Sequence, residues 1–277
     1  MIKIKVNDLN LQDTITCGQI FRFNKENDSY VVVLKDRVVR LKQDNDILYV
    51  SSNLEDNLEN VIKKYLDLER DYEVINKDLV LNNPDLKSSI EYSKGLKMIR
   101  QDEFETLISY IISANNRVSM ISKVVDNISK KYGKRVIFED KEYYLFPDAK
   151  DMKNCTKEEL RNLKTGFRDE YIYEIVNKIN NDLFDLNHIN DLNTEEALKY
   201  LMNNKGIGEK VASCILLFAY SRFDVFPIDT WVKKYMKENY NIDKVSDIRK
   251  FSIEHYNENC GLAIQYMFHF MRNKKNP

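Results

Sequence analysis

Glycine and proline are scarce in this chain, 7 and 4 among 277 residues. That excludes flexible linkers and low-complexity tracts, and no internal repeat is visible. The four cysteines, Cys17, Cys155, Cys214 and Cys260, are scattered too widely for a zinc site or a disulfide scaffold. Such usage suits a reducing compartment. Histidine is scarcer still: His188, His255 and His269 stand far apart, so no metal-ligand cluster is expected, and no nucleotide-phosphate loop occurs. No apolar run approaches the roughly 20 residues of a membrane-spanning helix. The opening MIKIKVNDLN lacks the apolar core of a signal peptide. The net charge of −1 argues against a non-specific coat for nucleic acid. The expectation is a cytosolic protein with neither cofactor nor catalytic metal.

What is present fits a soluble chain able to bury a substantial core, with 43% hydrophobic and 31% charged residues. The stretch YVVVLKDRVVRLKQDNDILYV carries β-branched runs broken by Lys-Asp and Asp-Asn-Asp turn signals, which predicts antiparallel hairpins. A helix is expected from about Leu54 to Leu68. From residue 95 helical patterns dominate, and FETLISYIISANN reads as a buried helix with Phe104, Leu107, Ile108, Ile111 and Ile112 on its apolar face. The fold class is therefore α+β: a small N-terminal antiparallel twisted sheet domain over 1–94, packed on a predominantly α-helical region over 95–277. Residues 117–135 carry Arg117, Lys123, Lys130, Lys131, Lys134 and Arg135 against Asp126 alone. A solvated helix face is the commoner meaning of such a run.

The most informative segment is LMNNKGIGEKVASCILLFAYSRFDVFPIDTWVKKY, residues 201–235. A first helix starts at about Thr194 with a Thr cap, and Val211, Ala212, Ile215, Leu216 and Ala219 give a second its buried face. Gly206 and Gly208 between them permit a tight reversal and a close approach of backbone to another molecule. N–H groups at such a hairpin and helix start can cradle a phosphate. Lys210 falls in the first turn of the second helix, where the helix dipole and partial burial against Cys214 and Phe218 favour a neutral, nucleophilic amine. Asp229 follows 19 residues later, behind Pro227 and ahead of an amphipathic run. Taken singly, each feature has an ordinary structural meaning, an N-cap for the aspartate above all. Their order and spacing together are harder to assign to chance.

This segment resembles the helix-hairpin-helix and Gly/Pro…Asp signature of the DNA glycosylase superfamily, in which the lysine marks bifunctional members. CGQIFRF at 17–23, GLKMIRQDEFETLISYIISANN at 95–116 and GLAIQYMFHFMR at 261–272 resemble the 8-oxoguanine DNA glycosylase branch. The closely spaced cysteines of the iron–sulfur glycosylases are absent. The resemblance implies a sheet domain, two helical subdomains with a cleft between them, and a hairpin over about 194–220 facing that cleft. It implies excision of 8-oxoguanine from double-stranded DNA through a Schiff base on Lys210, with Asp229 as the catalytic carboxylate, followed by strand nicking. The protein is then expected to act as a monomer at the bacterial nucleoid, with no membrane partner. A few phosphate contacts around one kinked site predict a modest salt dependence.

The resemblance also distributes roles around the extruded base. The Gly18 carbonyl accepts the N7 hydrogen that distinguishes 8-oxoguanine from guanine. Cys214 and Phe268 sandwich the base. Gln265 is a candidate for its pairing edge, although Ile264 falls at the family's glutamine position. Asn115 and Arg168 are implied to contact the orphaned partner base, with Phe167 as a wedge beside it. Met120 stands where eukaryotic members carry an arginine and cannot donate a hydrogen bond to cytosine, so a relaxed preference for the opposite base is expected. Trp231 replaces a customary histidine. Two other readings stay open: a glycosylase for alkylated purines, which the lysine speaks against, and a module that only grips DNA.

Overall fold

The computed structural model describes residues 1–274. β1 (Ile2–Lys5), β2 (Phe23–Glu26), β3 (Ser29–Val33), β4 (Val38–Asp44) and β5 (Ile47–Ser52) form one antiparallel sheet in the order β1-β5-β4-β3-β2. The register pairs Val32 with Val39 and Leu41 with Val50, so alternate apolar residues gather on one face. The helix Leu58–Tyr65 covers that face through Leu58 and Ile62, and Leu66 follows into the same core. It is shorter than expected. Asn57 ahead of it is left-handed, at φ +50°, which keeps Leu54 and the residues after it out of the helix.

Val31 and Val38 point to the opposite face and meet Phe138 and Tyr143 of a hairpin, β6 (Arg135–Phe138) and β7 (Lys141–Tyr144). Arg40 reaches both Glu26 and Glu139, and Lys141 bonds Glu26 at 2.7 Å, so charge fastens the hairpin to the sheet.

The helical region is organised around Glu103–Ser113, which Asp102 caps by accepting from the Glu105 N–H at 2.9 Å. Phe104, Leu107, Ile108, Ile111 and Ile112 are all buried, each contributing about 1.5–3 kcal/mol by removal from water. Tyr110 stacks on Phe218 of the helix Glu209–Ala219, with centroids 5.5 Å apart. The helices Tyr72–Asn82 and Lys87–Tyr92 precede Gly95 in the chain, yet Tyr72, Leu79, Leu86 and Ile90 pack into this helical core and not against the sheet. Among the described residues, no helix is long and apolar enough to cross a membrane.

Candidate catalytic cleft

The helix-hairpin-helix forms as Thr194–Met202, a turn, and Glu209–Ala219. The first cap is Asn193, one residue earlier than expected. Its side chain accepts from the Glu196 N–H at 3.0 Å while Glu196 accepts from the Asn193 N–H at 3.1 Å, a reciprocal arrangement a threonine one residue later cannot make. The two hairpin glycines differ in kind. Gly206 has φ +81°, and a methyl group on it would lie 2.5 Å from Tyr171 Cδ2, so the fold itself requires glycine there. Gly208 is the N-cap of the second helix, has no left-handed torsion, and a methyl group on it would meet nothing within 4 Å. The N–H groups of that helix start receive no side-chain cap.

Lys210 is half-buried in the first turn of this helix, its Nζ 5.4 Å from the centre of the Tyr110 ring. Cys214, one turn on, is buried, and its thiol is pushed up to about 11 by burial. The positive charge of Lys210 opposes that rise and the carboxylate of Asp229 adds to it, so the thiol lies close to both. Asp229 caps Thr230–Tyr240, one carboxylate oxygen accepting from the Val232 N–H at 2.8 Å. The capping role expected of an isolated aspartate is thus real, and its second oxygen remains outside that bond.

A cavity of about 1040 Å³ joins these groups to the 17–23 loop and the C-terminal helix Cys260–Lys274. Its lining includes Lys210, Cys214 and Asp229 together with Gly18, Gln265 and Phe268. Gly18 has φ +97°, and a methyl group there would lie 2.8 Å from Arg272 Nη1 and 3.3 Å from Phe268 Cε1. The residues around it are pinned. Buried Gln19 donates to the carbonyls of Thr14 and Lys97, both at 2.8 Å, and accepts from the Ile99 N–H at 2.8 Å. Arg22 grips both Glu105 oxygens at 3.2 Å. Gln265 is 5% exposed, and its Nε2 has no hydrogen-bond partner among the described residues. Ile264 lines the same cavity.

Asn115, Asn116 and Met120 stand at another part of the cavity wall. Asn115 is left-handed, at φ +52°, just past the end of Glu103–Ser113. Arg168, Phe167, Gly206 and Gly208 lie outside the lining. Phe167 is 58% exposed, its ring edge against Tyr171 and its face 4.4 Å from the Arg168 guanidinium. Arg168 itself is buried: Nε donates to the Ala114 carbonyl at 3.1 Å, Nη2 to that of Asn115 at 3.2 Å and Nη1 to that of Thr165 at 3.2 Å. In the free protein it props the Ala114–Asn115 backbone. The basic run is partly paired, Lys130 with Asp126, Lys131 with Glu159 and Arg135 with Glu142.

Sequence reasoning did not single out Tyr110 or Phe21, which both line the cavity and meet edge to face with centroids 5.6 Å apart. Tyr110 reads as one more apolar-face residue of a buried helix. Its only signal is a hydroxyl at a position where Ile or Leu would serve.

Comparison with known proteins agrees with this architecture. Residues 1–107 match the family model of the 8-oxoguanine DNA glycosylase N-terminal domain, and residues 108–256 that of the HhH-GPD superfamily base excision DNA repair proteins. An N-glycosylase/DNA lyase of Saccharomyces cerevisiae is 27% identical over 271 residues, spanning 87% of this chain and 71% of that protein. Clostridium acetobutylicum 8-oxoguanine glycosylase/lyase, solved with double-stranded DNA containing cytosine opposite 8-oxoG, matches with a TM-score of 0.92 at 34% identity, over 99% of both chains. MBOgg1, solved with a low-affinity DNA ligand, gives 0.94 at 33% identity over 99% of this chain and 96% of its own. The chain belongs to the HhH-GPD superfamily of base excision DNA repair proteins, in its 8-oxoguanine DNA glycosylase branch.

Proposed function

We propose that this protein excises 8-oxoguanine from duplex DNA and then nicks the strand, acting as a monomer at the bacterial nucleoid. The observation that carries this reading is one cavity lined by Lys210, Cys214 and Asp229 together with Gly18 and Phe268. Gly208 and the uncapped N–H groups of its helix take a backbone phosphate, and Phe167 wedges the duplex while the lesion swings out.

The Lys210 amine attacks C1′ of the deoxyribose, and the bond from C1′ to the base breaks with its electron pair going to the base. The Asp229 carboxylate stabilises the positive charge that grows on the sugar. The adduct opens to a Schiff base, loses a proton from C2′ and expels the 3′ phosphate. Cys214, with its thiol held at about 11 by burial, remains protonated near neutral pH and serves as a wall of the pocket, not a rival nucleophile.

The Gly18 carbonyl accepts the N7 hydrogen present only in the oxidised base, and stacking against Phe268 contributes about 1–3 kcal/mol. Gln265, whose Nε2 has no partner within hydrogen-bond geometry among the described residues and which lies close to the Cys17 thiol, donates to the pairing edge. Ile264 then supplies only apolar contact. Asn115 contacts the orphaned base, and Arg168 supports it by bonding the Asn115 carbonyl. Met120, 42% exposed at the rim, offers no hydrogen bond to that base, so the opposite-base preference is relaxed.

Borohydride trapping on a duplex with one 8-oxoguanine tests this. Wild type forms a covalent adduct and Lys210→Gln does not. Firm binding with no adduct from either protein would leave a module that only holds DNA.

A further inference from the structure

Behind the recognition wall lies a buried polar cluster that this chemistry does not use. His269 follows Phe268 on the C-terminal helix and is 1% exposed. Its Nδ1 lies 3.0 Å from Ser93 Oγ, and its Nε2 lies 3.7 Å from Asp13 Oδ1, too far for a hydrogen bond. Asp13 belongs to the short helix Leu11–Thr16, which ends at Cys17, directly ahead of Gly18. Its other oxygen accepts from Asn10 Nδ2 at 2.7 Å, which leaves Oδ1 for His269.

The charged and titratable groups facing the imidazole come from three elements. They are Asp13, Arg272 one turn along the same helix, and Tyr92, whose ring centre is 5.3 Å away. Burial draws the imidazole below its ordinary pKa and Arg272 acts the same way, while Asp13 opposes them. A carboxylate can only accept, so its charge favours the tautomer with the hydrogen on Nε2, in which the Ser93 hydroxyl donates to Nδ1. The contact thus joins two segments some 250 residues apart in sequence: Phe268 directly precedes His269, and Gly18 follows the end of the helix that carries Asp13.

We propose that His269 and Asp13 are a positioning pair that sets the spacing between the Gly18 carbonyl and the Phe268 ring, and so the discrimination of 8-oxoguanine from guanine. This rests on the function proposed above. The gap at that point is narrow already, since a methyl group on Gly18 would stand 3.3 Å from Phe268. Asp13→Asn breaks the arrangement without changing its size. The carboxylate presents one oxygen to Asn10 Nδ2 and the other toward His269 Nε2; an amide replaces one of those oxygens by an NH2 group, which then faces one of the two donors, and it removes the negative charge beside the imidazole.

The test sets 8-oxoguanine excision against Schiff-base trapping on an abasic duplex, which needs Lys210 but no base. Asp13→Asn is expected to lower kcat/KM on 8-oxoguanine about tenfold and narrow the margin over guanine, with abasic trapping unchanged within about twofold. His269→Gln, which keeps a donor near the Nε2 position, retains most of the activity that His269→Leu loses. Asp13 is partly exposed, so its variant carries the test should the histidine variants fail to fold. Unchanged 8-oxoguanine excision in Asp13→Asn would overturn the proposal, as would a parallel loss on the abasic duplex. A wild-type protein that traps neither duplex would overturn the functional reading itself.

Discussion

Replacing each hairpin glycine by alanine separates what the fold needs from what DNA needs. At Gly206 the torsion of φ +81° is left-handed, which costs an L-residue about 1–2 kcal/mol. The new methyl group would also lie 2.5 Å from Tyr171 Cδ2 and 2.9 Å from its Cβ, an overpacking worth about 1–3 kcal/mol. At roughly 2–4 °C per kcal/mol for a chain near this size, Gly206→Ala should lower Tm by roughly 4–20 °C. At Gly208 the methyl group meets nothing within 4 Å. Alanine is a poorer N-cap than glycine, but it restricts the unfolded chain by about 0.4–1 kcal/mol in compensation. Tm should therefore hold within roughly 2 °C. What Gly208→Ala loses is the close approach of a phosphate to the helix start. One or two charge-assisted bonds of about 1.5–3 kcal/mol each imply binding weaker by at least about tenfold. Thermal melting and fluorescence anisotropy on a short duplex measure the two effects separately. Wild-type affinity in Gly208→Ala would refute the phosphate cradle, and an unchanged Tm in Gly206→Ala would refute the steric account.

Asp229→Asn keeps an equivalent N-cap, so stability should stay within about 0.5 kcal/mol while excision falls about 10²–10³-fold through loss of the carboxylate; denaturant melts beside single-turnover rates check this. Wild type should prefer cytosine opposite the lesion by less than about a hundredfold, near 2.7 kcal/mol. Met120→Arg should widen that preference by about 1–3 kcal/mol, read from the four possible duplexes. Burial pushes Cys17, Cys155, Cys214 and Cys260 each up to about 11, above the ordinary value of 9.0. Thiols raised in the folded state contribute stability that is whole below about pH 9 and is lost as pH rises toward about 11. Thiol-reagent kinetics at pH 7.5 should show four slow groups that react together only on unfolding, and denaturant melts should weaken between pH 9 and 10.5.

The amino-acid sequence by itself determined a good deal of this protein. Hydrophobic periodicity is local, and it placed the hairpins of residues 30–50, the buried helix around Leu107 and Ile111, and the two helices flanking Gly206 and Gly208. The spacing from Lys210 to Asp229 reported one motif because a helix start and a helix cap are set by near neighbours. Tertiary structure decided the rest. Gly206 and Gly208 are the same letter; only the position of Tyr171 shows that one is demanded by packing and the other is not. The resemblance implies only a contact of Arg168 with the orphaned base; the structure adds that its guanidinium is folded onto the carbonyls of Ala114 and Asn115, some 50 residues away. Tyr72, Leu79 and Ile90 lie before the expected boundary and pack beyond it, since burial follows proximity in space, not along the chain. The meeting of Asp13 with His269 has no sequence signal at all: a 3.7 Å contact across 256 positions exists only once both segments have closed on the same core.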